Sequence, residues 1–126
     1  MTHCLELSVP PGRFAIFRLA ADALMPNLPA SGFVSITRTN EEMSVVAPEG
    51  ELVETLETDN GWRMIKVAGP LPFELTGILS SLVDPLADVG VSFFAISTFL
   101  TDYFMVKEES LGLAVTTLVA YGHRFS

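Results

Sequence analysis

Three residues of metal-ligating type, His3, Cys4 and Glu6, crowd the N-terminus of the chain. Adjacent ligands on a chain end arise by accident far more often than as a designed tetrahedral site, so no metal is expected there. Glu49, Glu51, Glu54 and Glu57 read as the solvated face of a short acidic helix. His123 beside Arg124 reads as a helix-end cation facing solvent, where the helix dipole favours positive charge. Asp102 falls in a predicted turn, where Asp can bond its own backbone or pair with the cation of a ligand. The chain has no Gly-x-Ser-x-Gly elbow, no phosphate-binding glycine loop, no paired cysteines and no His-x-x-x-His spacing. Acid–base chemistry usually needs at least two convergent titratable groups, and Asp102 is the one strong candidate near the turn, so neither catalysis nor a cofactor is expected.

The chain of 126 residues and 13.7 kDa suits one compact domain or two very small ones. Apolar residues make up 49% and charged residues 17%, enough to build a core and too few charges for disorder. Seven basic residues against fifteen acidic ones give a net charge of −8. The arginines and lysines are scattered singly, so neither nucleic acid nor an anionic membrane is an expected partner. A single cysteine and the lack of a signal-like N-terminus predict a cytoplasmic protein, and no apolar run approaches the length of a membrane span.

The elements that must position any site follow from periodicity. Leu75, Ile78, Leu79, Leu82, Val83, Leu86 and Val89 fall at three-four spacing, predicting a helix from Leu75 stopped by Gly90. Pro85 removes one hydrogen bond from it and predicts a kink or a distorted last turn. Val91 to Ser97 is apolar on both faces and reads as a central strand, with Tyr103 to Lys107 as its hairpin partner. Glu108 and Glu109 open a second helix with buried face Leu111, Ala114, Val115, Leu118 and Tyr121, stopped by Gly122. With an extended run from Trp62 to Ala68, the order is strand, helix, strand, strand, helix, most of a βαββαβ ferredoxin-like unit. Gly122 to Ser126 is too short for a fourth strand, and Cys4 to Val9, which alternates, is expected to complete a sheet across the chain or a dimer.

The first half echoes this order. Phe33, Ile36, Thr37, Glu42 and Val46 fall against Phe93, Ile96, Ser97, Asp102 and Val106 at a spacing of sixty residues, a weak internal repeat. Arg13 to Leu19 supplies its opening strand. Asp22 to Ala30, with Pro26 and Pro29, has no helical face, so the repeat's first helix is cut to a turn. The expected fold is α+β, two tandem ferredoxin-like repeats with the first degraded, over residues 1–61 and 62–126.

Ile96-Ser97-Thr98-Phe99, Asp102-Tyr103 and Val106-Lys107-Glu108-Glu109, preceded by Pro85-Leu86 and Gly90-Val91-Ser92, resemble the ACT domains of a small bacterial family related to the CASTOR arginine sensors. The likeness runs from Trp62 to His123. It implies a non-catalytic regulatory module that binds an amino acid or similar small ligand, often between paired domains, and so allows a homodimer. The family's ligand loops fall on Thr98, Phe99 and Asp102 in the turn, and on Leu75, Thr76 and Gly77 before the helix. A turn carboxylate at Asp102 suits an ammonium group, and the amides at Gly77 suit a carboxylate. The arginine sensors carry an acidic residue where this chain has Leu75, which implies a smaller or neutral side chain on the ligand. The competing expectation is a structural dimerisation module whose pocket has degenerated.

Overall fold

The computed structural model describes residues 4–70 and 76–126. Its elements are β1 (Glu6–Ser8), β2 (Phe14–Leu19), β3 (Ser35–Arg38), β4 (Met43–Pro48), β5 (Glu57–Val67), α1 (Ile78–Asp88), β6 (Phe94–Ser97), β7 (Asp102–Lys107), α2 (Leu111–Ala120) and β8 (Arg124–Phe125). The chain forms two compact units, a larger one of Met1–Pro11 with Arg63–Ser126 and a smaller one of Gly12–Trp62.

In the larger unit the strands run in the order β6-β7-β5-β1-β8. From β5 onward the succession is βαββαβ, a ferredoxin-like mixed α+β arrangement. The N-terminal strand is inserted into it: β1 pairs antiparallel with β5 through Leu7↔Val67 and parallel with β8 through Leu7↔Phe125. Cys4 to Val9 thus completes the sheet within the chain. Gly122 to Ser126 does supply a last strand, contrary to expectation, because a two-residue strand suffices where β1 offers a ready partner. Leu7, Ile65, Val67, Phe104 and Val106 pack from the sheet against Leu82, Leu86, Ala114 and Leu118 of the two helices, all at most 1% exposed. At about 1.5–3 kcal/mol per buried large aliphatic or aromatic side chain, this layer dominates the unit's stability.

Both helices end in the same way. At α1, Gly90 takes a left-handed φ of 77°, its N–H donates to Ala87 O, and the N–H of Val91 donates to Leu86 O. At α2, Gly122 has φ 98°, its N–H donates to Val119 O, and the N–H of His123 donates to Leu118 O. This is the Schellman pattern, in which a glycine turns the chain back so that the next residue lies against the helix. The residue so placed after α2 is His123, which is 3% exposed and not in solvent as expected. The N–H of Leu5 donates to its Nδ1 at 3.1 Å, so Nε2 carries the proton and donates to Ser81 O at 3.0 Å. Ser81 is four residues before Pro85. Its carbonyl is the one that the missing N–H of Pro85 leaves without an intrahelical donor, and His123 supplies that donor from the end of the other helix.

Other expectations need correction. β6 begins at Phe94 and, among the described residues, pairs with β7 alone, so it is an edge strand and not a central one. Val91 is apolar because it closes the end of α1 over Leu86, and Phe93 is 37% exposed. Tyr121 and Val89 lie at helix ends where the chain already turns away, and are about half exposed.

The smaller unit has the strand order β3-β4-β2-β5, all antiparallel neighbours. Ala15, Phe17, Met43, Val45 and Ala47 form its buried face. Irregular segments carrying Ala23, Leu28, Val34 and Leu52 cover that face where helices would otherwise lie, in keeping with Pro26 and Pro29. The acidic helix expected over Glu49 to Glu57 is not formed. Glu49 is instead drawn into a bulge of the β2–β5 pairing: its Oε2 accepts the N–H of Gly61 at 2.6 Å and its Oε1 accepts Nε of Arg13 at 3.1 Å. The hairpins β3–β4 and β6–β7 close with the same four-residue turn, Thr39 N–H donating to Glu42 O and Thr98 N–H to Thr101 O. Thr39 therefore corresponds to Thr98 and Glu42 to Thr101, one residue off the spacing of sixty, and Glu42 does not take the place of Asp102.

Two measurements check this account. Replacing His123 by Ala removes the partners of the part-buried Leu5 N–H and Ser81 C=O along with the packing of a buried ring, and should cost about 1–3 kcal/mol in urea unfolding. In a Pro85→Ala background residue 85 regains its N–H, so the same substitution should cost about 1 kcal/mol less. Equal costs in both backgrounds would show that His123 does not serve the carbonyl freed by the proline. Deleting residues 1–9 removes β1 with the fully buried Leu7 and should cost at least about 3 kcal/mol. An unchanged melting temperature refutes the role given to β1.

Candidate functional site

The β6–β7 turn is built by short-range bonds between hydroxyls and backbone. Ser97 and Asp102 are the last cross-strand pair, and Ser97 Oγ donates to Asp102 Oδ1 at 2.7 Å. Thr98 N–H closes the loop on Thr101 O at 2.9 Å, and Thr98 Oγ1 donates to the same oxygen at 3.1 Å. Phe99 and Leu100 form the tip, 78% and 60% exposed. Thr101 is buried, and its Oγ1 donates to Val67 O at 2.7 Å, which docks the turn on the end of β5.

Side chains alternate along a strand, so Asp102 shares a face with Phe104 and Val106, the residues that pack against α1 and α2. Its cross-strand partner Ser97 lies on that face too. The half-buried Asp102 thus stands on the helix-covered face at the turn end of β7. The segment leaving β5 comes to the same place. A Cβ on Gly69 would lie 2.9 Å from Leu100 O and 3.0 Å from Cβ of Thr101, so only glycine permits this approach.

Gly77 is the N-cap of α1 with φ 79° and ψ 3°, a residue with no side chain to cap the helix, and the first turn carries no acidic residue. Its own carbonyl accepts Ser81 N–H at 3.0 Å and Ser80 Oγ at 3.3 Å. Thr76 directly precedes it. Leu75 lies outside the described residues. The structure brings Thr98 and Asp102 together in one turn with Phe99 at its tip, and seats that turn against Gly69 at the start of the loop that leads to Gly77.

Ser97, Thr101 and Gly69 stand at this turn beyond the residues that the sequence points to. The run Gly69-Pro70 marks a break without showing what the glycine faces, and Thr101 looks like any turn threonine until Val67 is seen beside it. At the N-terminus, Cys4 donates to Gly122 O at 2.8 Å and Glu6 pairs with Arg124, so both serve the contact between β1 and the chain end. His3 lies outside the described residues. Among the described residues no group of three or more His, Cys, Asp or Glu is placed to hold a metal ion, and no helix is long and apolar enough to cross a membrane.

Relatives show the same architecture. A crystal structure of a protein from Agobacterium tumefaciens superposes with a TM-score of 0.92 at 33% identity, covering 99% of this chain and 94% of that one. A Vibrio cholerae protein of unknown function, described as a possible transport protein, matches with a TM-score of 0.70 at 16% identity over 94% of this chain and 90% of that one, and shares the fold alone. Among curated proteins, the cytosolic arginine sensor for mTORC1 subunit 1 is similar. The Mus musculus protein is 34% identical over 88 residues, 69% of this chain and 26% of that protein, and the Homo sapiens protein 32% identical over the same length. The chain therefore spans about a quarter of the length of those sensors. A family model for an N-terminal domain matches residues 12–54. The model described as ACT domain matches residues 57–120, from the start of β5 through both helices and the hairpin that carries Asp102. With half of its length matched there, and with the arginine sensors among its relatives, the chain belongs to the ACT domain family.

Proposed function

We propose that this protein is a non-catalytic regulatory module that binds an amino acid where the turn Thr98 to Asp102 faces the loop Leu75 to Gly77. The observation that carries the reading is the seating of that turn. Thr101 on Val67 and Leu100 against Gly69 hold the Asp102 turn on the end of β5, with the carboxylate on the helix-covered face. Asp102 pairs with the ligand's ammonium group. The amides that follow Gly77 at the start of α1 receive its carboxylate, as helix N-termini do with anions. Leu75, Thr76, Thr98 and Phe99 complete the contact. The curated relatives are arginine sensors by name, which supports an amino-acid ligand. Leu75, in place of their acidic residue, removes the group that would meet a cationic side chain, so neutral amino acids outrank arginine. The two units are two ACT-type repeats in this reading, the first without its helices.

A thermal-shift screen of the twenty amino acids tests it. A ligand at about 100 times its Kd adds roughly 2.7 kcal/mol to the folded state, which for a chain of this size raises the melting point by about 8–13 °C. The Asp102→Ala variant should lose the shift while its own stability falls by less than about 1 kcal/mol, since it gives up one exposed bond from Ser97. If no amino acid at millimolar concentration moves the melting point, the sensor reading fails. If Asp102→Ala keeps the full response, the ligand sits elsewhere.

A second variant tests the seating itself. Gly69→Ala drives a methyl group into Leu100 O and must displace the turn, costing about 1–3 kcal/mol and weakening the amino-acid response about tenfold. An unaltered dose response in that variant would separate the turn from the site.

A further inference from the structure

The proposed site takes its charge from Asp102 and leaves the residue across from it without a task. Thr98 and Thr101 close the β6–β7 hairpin as a hydrogen-bonded pair, so Ser97 and Asp102, the next pair outward, are of the non-hydrogen-bonded kind. Side chains of such a pair stand closest together, here with Ser97 exposed and Asp102 half-buried. Ser97 Oγ donates to Asp102 Oδ1 at 2.7 Å. Among the described residues, no other group donates to this carboxylate.

The protons of the pair decide what it can offer a ligand. A serine hydroxyl has one proton and two acceptor lone pairs, and an ionised carboxylate only accepts. With the one proton spent on Oδ1, everything the pair presents outward is an acceptor: Oδ2 of Asp102 and the lone pairs of Ser97 Oγ. The bond from Ser97 also holds the carboxylate in place before any ligand arrives. The complement of such a pair is a positive group with several protons. A primary ammonium has three N–H donors and satisfies both acceptors, whereas a hydroxyl brings one proton, no charge, and lone pairs that meet those of the carboxylate.

We infer that Ser97 is a ligand-binding residue of this site: its Oγ accepts a second N–H of the ammonium that Asp102 pairs with, and the two residues together select α-amino acids against the α-hydroxy acids of the same side chain. The inference rests on the amino-acid site proposed at this turn, and adds to it the residue and the chemistry that reject the hydroxy acid. Polar groups left unmet in a site reject an analogue far more strongly than a missing apolar contact does.

Thermal-shift titrations of the full chain test it, with each amino acid that carries a primary amine run beside the α-hydroxy acid of the same side chain. An amino acid that raises the melting point should do so at a concentration at least about 100-fold lower than its hydroxy acid needs for an equal shift. Ser97→Ala should weaken the response to that amino acid about tenfold, while its unliganded melting point stays within about 3 °C of wild type. Ser97→Thr, which restores a hydroxyl with the same proton and lone pairs, should stay within about threefold of wild type. That rescue separates the hydroxyl's role from a general loosening of the turn. Three results overturn the inference while the site itself stands: a hydroxy acid that binds as well as its amino acid, an amino-acid response in Ser97→Ala equal to wild type, or a Ser97→Thr variant as weak as Ser97→Ala. No response of the wild type to any amino acid overturns the site and this inference together.

Discussion

A proline in the middle of a helix leaves one carbonyl without its donor, and much of the larger unit is arranged around the residue that answers it. Pro85 frees the carbonyl of Ser81, and Nε2 of His123 bonds to it. His123 can do so only because Gly122 turns the chain back over the last turn of α2. Its other ring nitrogen takes the N–H of Leu5, so the same side chain also fixes the entry to β1. One imidazole thereby joins the middle of α1, the end of α2 and the strand that sits between β5 and β8. The order of the sheet and the pairing of the helices are coupled through it.

The two compact units solve one packing problem differently. Each has an apolar sheet face to cover. The larger unit covers it with two helices, whose buried stripes interlock with Leu7, Val67, Phe104 and Val106. The smaller unit covers Phe17, Met43 and Val45 with proline-bearing irregular chain, which partly buries Leu28 and Leu52 but leaves neighbouring apolar residues in water. An irregular segment has no fixed period to sort its side chains inward and outward. That is the physical origin of the exposure of Leu24, Met25 and Val53.

The hairpin that carries Asp102 depends on the larger unit for its position and on itself for its shape. Thr98 closes the turn through backbone and hydroxyl bonds, as Thr39 does in the β3–β4 hairpin. The two hairpins part company at the next position outward. Thr101 is buried and anchors on Val67, while its counterpart Glu42 lines an open groove with Arg18, Glu57 and Asp59. The same local turn therefore serves as a docked loop in one unit and as part of a polar surface in the other.

Periodicity and breakers marked both helices and the hairpin of the larger unit from the sequence alone, though not its last strand. The three-four spacing from Leu75 to Val89, the glycine stops at Gly90 and Gly122, and the hairpin around Thr98 to Asp102 are local signals, and α1 forms over Ile78–Asp88 within the first of them. The family likeness was also legible, because it rests on contiguous runs around that hairpin. Other features were settled by tertiary structure. That Val91 to Ser97 ends as an edge strand depends on which strands lie beside it, and apolar composition does not record neighbours. Glu49 looked like one acid in a solvated row, yet a bulge at Gly61 twelve residues away claims its carboxylate. His123 looked like a surface cation, because its partners Leu5 and Ser81 are far away in the chain. A hydrogen bond between distant residues leaves no period in the sequence, so only the folded chain shows which polar side chains the backbone will need.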